Sequence, residues 1–156
     1  MRMRDIVTPV FQGRTLVAGY GMGPALVSKT AINFAAAFGR PQNAIPGQRG
    51  VINDRHHELF KQDVKSKVLL FPACIGSTFT GMVLMQLMYK KEAPAAMIVH
   101  HADPLLIAGS VLAAVWFNSG IPIVEYDRQD LFAQVRTGDI ISVNGGDGNI
   151  TVQAVR

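Results

Sequence analysis

The sequence predicts an α/β chain: one compact domain with a partly barrel-like mixed sheet and helices packed outside. Three observations carry this. Between residues 64 and 135 short apolar runs alternate with helix-like patterns, and that order calls for parallel pairing and right-handed crossovers. Both ends of the chain are strand-rich with glycine turns, which adds strands that close or thicken the sheet. A length of 156 residues, with 49% hydrophobic and 17% charged residues, is enough for one buried core and is a globular composition.

The elements follow in order. Residues 1–13 are expected as a loosely ordered N-terminal extension of the single domain 1–156. Thr15–Ala18 and Pro24–Val27 read as two short strands around Gly19, Gly21 and Gly23. From Gly39 to Arg55 two prolines, three glycines and few large apolar residues read as a long loop, functional or disordered. Val64–Phe71 is a strand candidate. Ser77–Lys90 is a helix with Phe79, Met82, Val83, Met85, Leu87 and Met88 crowding one broad face. Ala96–Val99 reads as a buried strand. Asp103-Pro104 is an N-cap with proline at the first helical position, opening an apolar helix to about Phe117 that Gly120 ends. Ile121–Glu125 is a further strand and Asp127–Val135 a short helix. Ile140–Val143 and Ile150–Val155 form a hairpin-like ending around Gly145-Gly146-Asp147-Gly148.

Charge and cysteine content narrow the function. The net charge of +4 comes from scattered Lys and Arg, the largest cluster being Lys61, Lys65 and Lys67. No basic stripe with interleaved aromatics is present, so nucleic-acid binding is not expected, whereas an anionic substrate or acidic partner face fits. Cys74 is the only cysteine, so the chain forms no internal disulfide and cannot by itself hold an iron–sulfur cluster. Met1-Arg2-Met3-Arg4-Asp5 does not read as a signal peptide, and no apolar run approaches the ~18 residues of a spanning helix. A cytoplasmic chain without a membrane association is expected.

The stretch most suited to chemistry is Val68 through Thr78. An apolar run stops at Pro72, and Gly76 leads into Ser77 and Thr78 at a helix start. This order puts a hydroxyl at the carboxyl end of a sheet strand, where ligands gather in open α/β folds. From the residues alone Ser77 reads first as a helix N-cap, and the two roles are compatible. The glycine that a nucleophile elbow needs after its serine is missing, which disfavours a hydrolase of that kind. Cys74 in the same turn reads as a small buried residue rather than a thiolate. His56-His57 and His100-His101 are adjacent pairs whose side chains diverge in a strand, so no metal is expected on them. Asp54, Arg55 and His57 suit substrate or subunit contacts, with plain surface polarity the alternative.

Together these pieces resemble the small, swivelling-domain subunit of the aconitase X family. The resemblance runs from about Gly21 to Val155. It rests on Gly23-Pro24-Ala25-Leu26-Val27-Ser28, Ile52-Asn53-Asp54-Arg55-His56-His57 and Val68 through Thr78, with Ala93–Val99 and Thr137-Gly138-Asp139 in support. It implies a swivelling β/β/α domain serving a two-part hydro-lyase, whose large subunit carries an iron–sulfur cluster. Ser77 would be the proton acceptor, and Gly76, Thr78, Asn33, Asp54, Arg55 and His57 are the expected substrate contacts. The resemblance implies a small carboxylate substrate: cis-3-hydroxy-L-proline, as in bacterial members, is the first expectation, and archaeal members use phosphorylated mevalonate. The chain departs from the family at two places. Ala73, Cys74 and Ile75 stand where a small pair and a Lys or Arg usually precede the Gly-Ser, and Asn33-Phe34-Ala35-Ala36-Ala37 replaces Ser-Phe-Trp-Gly-Gly. These changes leave open a different substrate, or a non-catalytic ligand-binding or partner subunit that keeps the fold. A phosphohistidine carrier of related architecture would need a histidine where Ser77 stands.

Overall fold

The computed structural model describes residues 8–39 and 41–155, so the first seven residues of the expected extension lie outside it. The elements are β1 (Val10–Gln12), β2 (Arg14–Val17), β3 (Tyr20–Val27), α1 (Phe34–Phe38), a 3-10 turn at Pro41–Ala44, β4 (Val68–Phe71), α2 (Thr80–Tyr89), β5 (Ala96–Val99), α3 (Pro104–Phe117), β6 (Ile123–Glu125), α4 (Gln129–Gln134), β7 (Ile140–Asn144) and β8 (Asn149–Gln153). Eight strands form a mixed sheet in the order β1-β8-β7-β3-β4-β5-β6-β2.

The centre of the sheet is parallel. β3, β4, β5 and β6 pair in sequence order: Leu69 stands opposite both Leu26 and Met97, and Ile98 stands opposite Val124. β4 and β5 are buried at every position, as expected of strands covered on both faces. Alternate side chains divide the core. Leu69, Phe71, Met97, Val99 and Ile123 pack under α1, α2 and α3. Val68, Leu70, Ala96, Ile98 and Val124 point the other way, joining Phe11, Ile141, Ile150 and Leu131 of α4.

β3 joins two pairing modes. Tyr20–Pro24 runs antiparallel to β7, and Ala25–Val27 runs parallel to β4. The two outermost strands, β1 and β2, are separated in sequence by Gly13 alone, and they pair antiparallel with β8 and β6. The Gly13 amide donates to the Gly148 carbonyl at 2.9 Å, so one short segment ties both edges together. The sheet thereby curls into a partly closed barrel, and Val10–Gln12, expected within a loose extension, is a paired strand.

Element ends differ from the sequence reading for local reasons. β4 starts at Val68 rather than Val64 because Ser66 takes a left-handed φ of 58°, which breaks an extended run. α2 starts at Thr80 rather than Ser77, because Ser77 Oγ accepts from the Phe79 amide and its carbonyl accepts from the Thr80 hydroxyl, closing a tight turn first. α3 ends at Asn118, left-handed at φ 50°, before Gly120 is reached. Its start is as expected: Asp103 Oδ1 accepts from the amides of Leu105 and Leu106 at 2.8 and 3.0 Å. α1 went unread. The long segment after it is organised by one buried acid, Glu92, which accepts from the amides of Gly47 and Arg49 and pairs with the Arg49 guanidinium at 3.2 Å. Among the described residues no helix is long and apolar enough to cross a membrane.

Candidate active site

The carboxyl ends of β3, β4 and β5 open onto a group of turns that holds most of the expected site residues. The turn after β4 comes first. Ile32 bridges to Cys74, its amide donating to the Ala73 carbonyl and its carbonyl accepting from the Ile75 amide, both at 3.0 Å. That ladder lays Asn33 over Gly76. Gly76 has φ +89°, and a Cβ there would stand 2.6 Å from Asn33 Nδ2, so both conformation and space require glycine. Asn33 is itself fixed, its Oδ1 accepting from the Ala36 amide at 3.1 Å as the N-cap of α1.

Ser77 follows, half-buried, with Gly76 and Thr78 exposed on either side. It is not the N-cap of α2. Phe79 holds that position, and no side chain caps the helix there. Ser77 Oγ instead accepts from the Phe79 amide at 3.0 Å, just ahead of the positive end of a ten-residue helix. That amide favours a charged oxygen over a neutral hydroxyl. Cys74, three residues back, has the opposite setting. Burial, reinforced by the Asp103 carboxylate, pushes its thiol up to about 12, so it stays protonated at neutral pH.

Asp54, Arg55 and His57 occupy a separate turn and make no hydrogen bond to Ser77. Asp54 serves that turn, its Oδ1 accepting from the His56 amide. Arg55 is exposed and, among the described residues, makes no ion pair. His57 is buried. Its Nδ1 accepts from the Leu59 amide at 3.1 Å, which leaves the Nε2 side toward Thr30 Oγ1 at 3.1 Å and Ser28 Oγ at 3.3 Å. Glu58 completes this knot, accepting from the hydroxyls of Ser28 and Thr30 and the amides of Lys29 and Thr30. Burial alone would raise its carboxyl, but those hydrogen bonds outweigh it and hold it below the usual range. His57 therefore positions the chain after β3, and that chain carries Ile32 and Asn33 to the Ser77 turn.

The sequence reading missed a cleft of about 850 Å³ at this same end, on the α4 side of the sheet. Pro72, the first residue after β4, is in its wall, with Lys29, His100, His101 and Arg136 as its basic groups and Phe132 on its apolar side. His100 is 8% exposed and stacks on Phe132 with ring centroids 3.7 Å apart. Its Nδ1 lies 2.9 Å from the Tyr126 carbonyl, an acceptor only, so Nδ1 carries hydrogen. The available signal was the His100-His101 doublet directly after a buried strand. Its partner α4 arrives from thirty residues further on, which no local pattern shows. Among the described residues no three His, Cys, Asp or Glu side chains stand together as a metal site.

The family model described as the aconitase X swivel domain matches residues 10–152. The chain is 37% identical over 139 residues to the phosphomevalonate dehydratase small subunit of Methanocella arvoryzae, covering 89% of this chain and 96% of that one. It is 31% identical over 140 residues to the corresponding subunit of Methanosarcina mazei, covering 90% and 88%. Its fold superposes on the crystal structure of Thermococcus kodakaraensis aconitase X with a TM-score of 0.78 and 25% identity, covering 94% of this chain and 99% of that chain.

Proposed function

Since the chain belongs to the aconitase X swivel-domain family, we propose that it is the small subunit of a two-part hydro-lyase that removes water from a small hydroxy acid, with Ser77 as the base. The observation that carries the proposal is the Ser77 turn. A half-buried hydroxyl accepts an amide hydrogen bond at the start of α2, at the carboxyl end of the parallel strands, with Gly76 and Asn33 locked behind it. In this reading Ser77 Oγ takes the proton from the carbon next to the substrate carboxylate. The electron pair forms the new double bond as the hydroxyl on the next carbon leaves.

This chain supplies the base and its orientation. Activation of the departing hydroxyl would fall, in this reading, to an iron–sulfur cluster in the large subunit, because the one cysteine here, with no metal-ligand cluster around it among the described residues, does not suit a cluster. The assembly is taken to be cytoplasmic, in keeping with a lone, unpaired thiol. For the substrate, the curated relatives reported above are named for phosphomevalonate, and a phosphorylated hydroxy acid suits the basic groups Lys29, His101 and Arg136 at this end. Phosphomevalonate is therefore the first substrate to try and cis-3-hydroxy-L-proline the second.

The test is co-purification with the large subunit and assay of water loss from both acids, by the wild type and by Ser77→Ala. A serine base predicts a fall in kcat of about 10²–10⁴-fold with a much smaller change in KM. Undiminished turnover in Ser77→Ala removes Ser77 from the reaction. A complex that forms but turns over neither acid favours the non-catalytic reading, for which Ile75 in place of a cation is the specific observation.

A further inference from the structure

Helix α3 holds to the rest of the chain by a narrow stripe. Leu106, Gly109, Ser110 and Ala113 are its buried positions, the i, i+3, i+4, i+7 set of one face. Ser110, the one hydroxyl in the helix, is spent inward, donating to the Ile121 carbonyl and accepting from the Ile121 amide. The remaining positions are apolar, and most face outward. From Pro104 to Phe117 there is no charged side chain at all, and a helix apolar on all sides is ordinarily covered on all sides.

This face leaves Val115 72% and Trp116 63% exposed, with Leu105, Val111, Leu112 and Phe117 beside them. Tyr89, at the end of α2 and 58% exposed, extends the surface, its ring 5.1 Å from that of Phe117. With aromatic side chains at 150–250 Å² each and aliphatic ones somewhat less, the exposed patch is roughly 700 Å², above the size at which apolar patches on monomers mark contact sites.

We propose that this face is the contact between two copies of this chain, α3 packed on α3 about a two-fold axis. Two such patches bury roughly 1,400 Å², within the range of stable interfaces. A two-fold contact sets each patch against itself, so a charge near the axis would face its own copy. A 14-residue helix without charge meets that condition along its whole length. The location also suits a second copy. α3 begins beside the Cys74 turn, where the Asp103 carboxylate acts on the thiol. Trp116 lies about 20 Å further along the axis, counting 1.5 Å per residue. The Trp116 end of the patch thus extends away from the Cys74–Ser77 turn, the end a catalytic partner must reach. Self-association is independent of the dehydratase reading and stands or falls by itself.

The sole tryptophan, Trp116, reports on the contact directly. Sedimentation velocity of the purified chain is expected to give a species of about twice 16.9 kDa, dissociating on dilution with a red shift of tryptophan emission as the ring returns to water. Val115→Glu is expected to weaken the dimer by about thirty-fold or more, the loss typical of a central interface residue, with circular dichroism and melting temperature of the monomer unchanged. Trp116→Ser, at a second exposed position, is expected to do the same by sedimentation. A chain that stays monomeric at all concentrations, with concentration-independent emission, overturns the proposal. So does a dimer that both variants leave intact. If instead the chain is monomeric and Val115→Glu blocks assembly with the large subunit, the face belongs to that subunit and the two-fold contact is wrong.

Discussion

Ser77 and Cys74 lie three residues apart in one turn and have opposite chemistry, because one accepts an amide hydrogen bond while the other is surrounded by apolar groups and faces a carboxylate. With its thiol pushed up to about 12, Cys74 is expected to react with iodoacetamide at pH 8 on the order of a thousandfold more slowly than free cysteine, since the thiolate is the reactive form. Alkylation kinetics in buffer and in denaturant check this, and Cys74→Ala should leave turnover of the assembled enzyme unchanged. Ile75 is exposed beside the serine, where the family resemblance leads one to expect a cation. A cation at that distance favours the charged form of a neighbouring acid by about one to three pH units. Ile75→Arg is therefore expected to move the acid limb of the pH–kcat profile to lower pH, raising turnover at neutral pH. A limb that stays in place argues against Ser77 as the titrating base. Gly76 tolerates no side chain, because φ +89° and Asn33 both exclude a Cβ. Gly76→Ala should misplace the serine as well as strain the turn.

Single acids organise whole segments at the scale of the element. Asp103 satisfies two orphan amides of α3, and Asp103→Ala is expected to cost about 1 kcal/mol in a denaturant titration. Glu92 does more, holding the segment after α1 through two amides and Arg49. Burial would raise its carboxyl, but the Gly47 and Arg49 hydrogen bonds more than offset this and keep it below the usual range. A carboxyl that binds protons less tightly folded than unfolded stabilises the fold above the ordinary glutamate value, ~4.3, and loses that contribution as pH falls through the lower folded value. Glu92→Ala is expected to cost about 3 kcal/mol at neutral pH, the order found for breaking a buried pair. The gap in melting temperature between wild type and Glu92→Gln should narrow as the pH is lowered from about 6 to about 3. A gap that widens on acidification contradicts this role. His57, expected to touch substrate, also organises structure. Its ring ties the segment after β3 to the turn at 54–57, so His57→Ala should lower stability and reach activity only through the placement of Asn33.

For the whole molecule, the closed sheet and the α2–α3 contact decide what the local elements can do. Those two helices meet backbone to backbone, since a Cβ on Gly109 would stand 2.6 Å from the Gly81 carbonyl oxygen. Gly109→Ala is expected to cost about 1–3 kcal/mol by forcing them apart, measured by thermal melting, and to shift the outer face of α3 with it. Much of this architecture was legible in the sequence. The apolar runs at Leu69 and Met97 read as strands, the second as a buried one, the Asp103-Pro104 pair marked a helix start, and the glycines near residue 146 marked a hairpin. Those signals are local, carried by neighbours along the chain. The Gly-Ser order after a strand, by itself, put a hydroxyl at the carboxyl end of the sheet. Only the tertiary structure decided that Asn33 lies over the turn before Ser77, through the Ile32–Cys74 bridge. Only it separated Arg55 and His57 from that serine, and only it brought α4 against His100 to form the cleft. It also closed the barrel through Gly13. These outcomes rest on contacts between residues far apart in the chain, whose energies depend on which surfaces meet and therefore leave no periodic trace in the sequence.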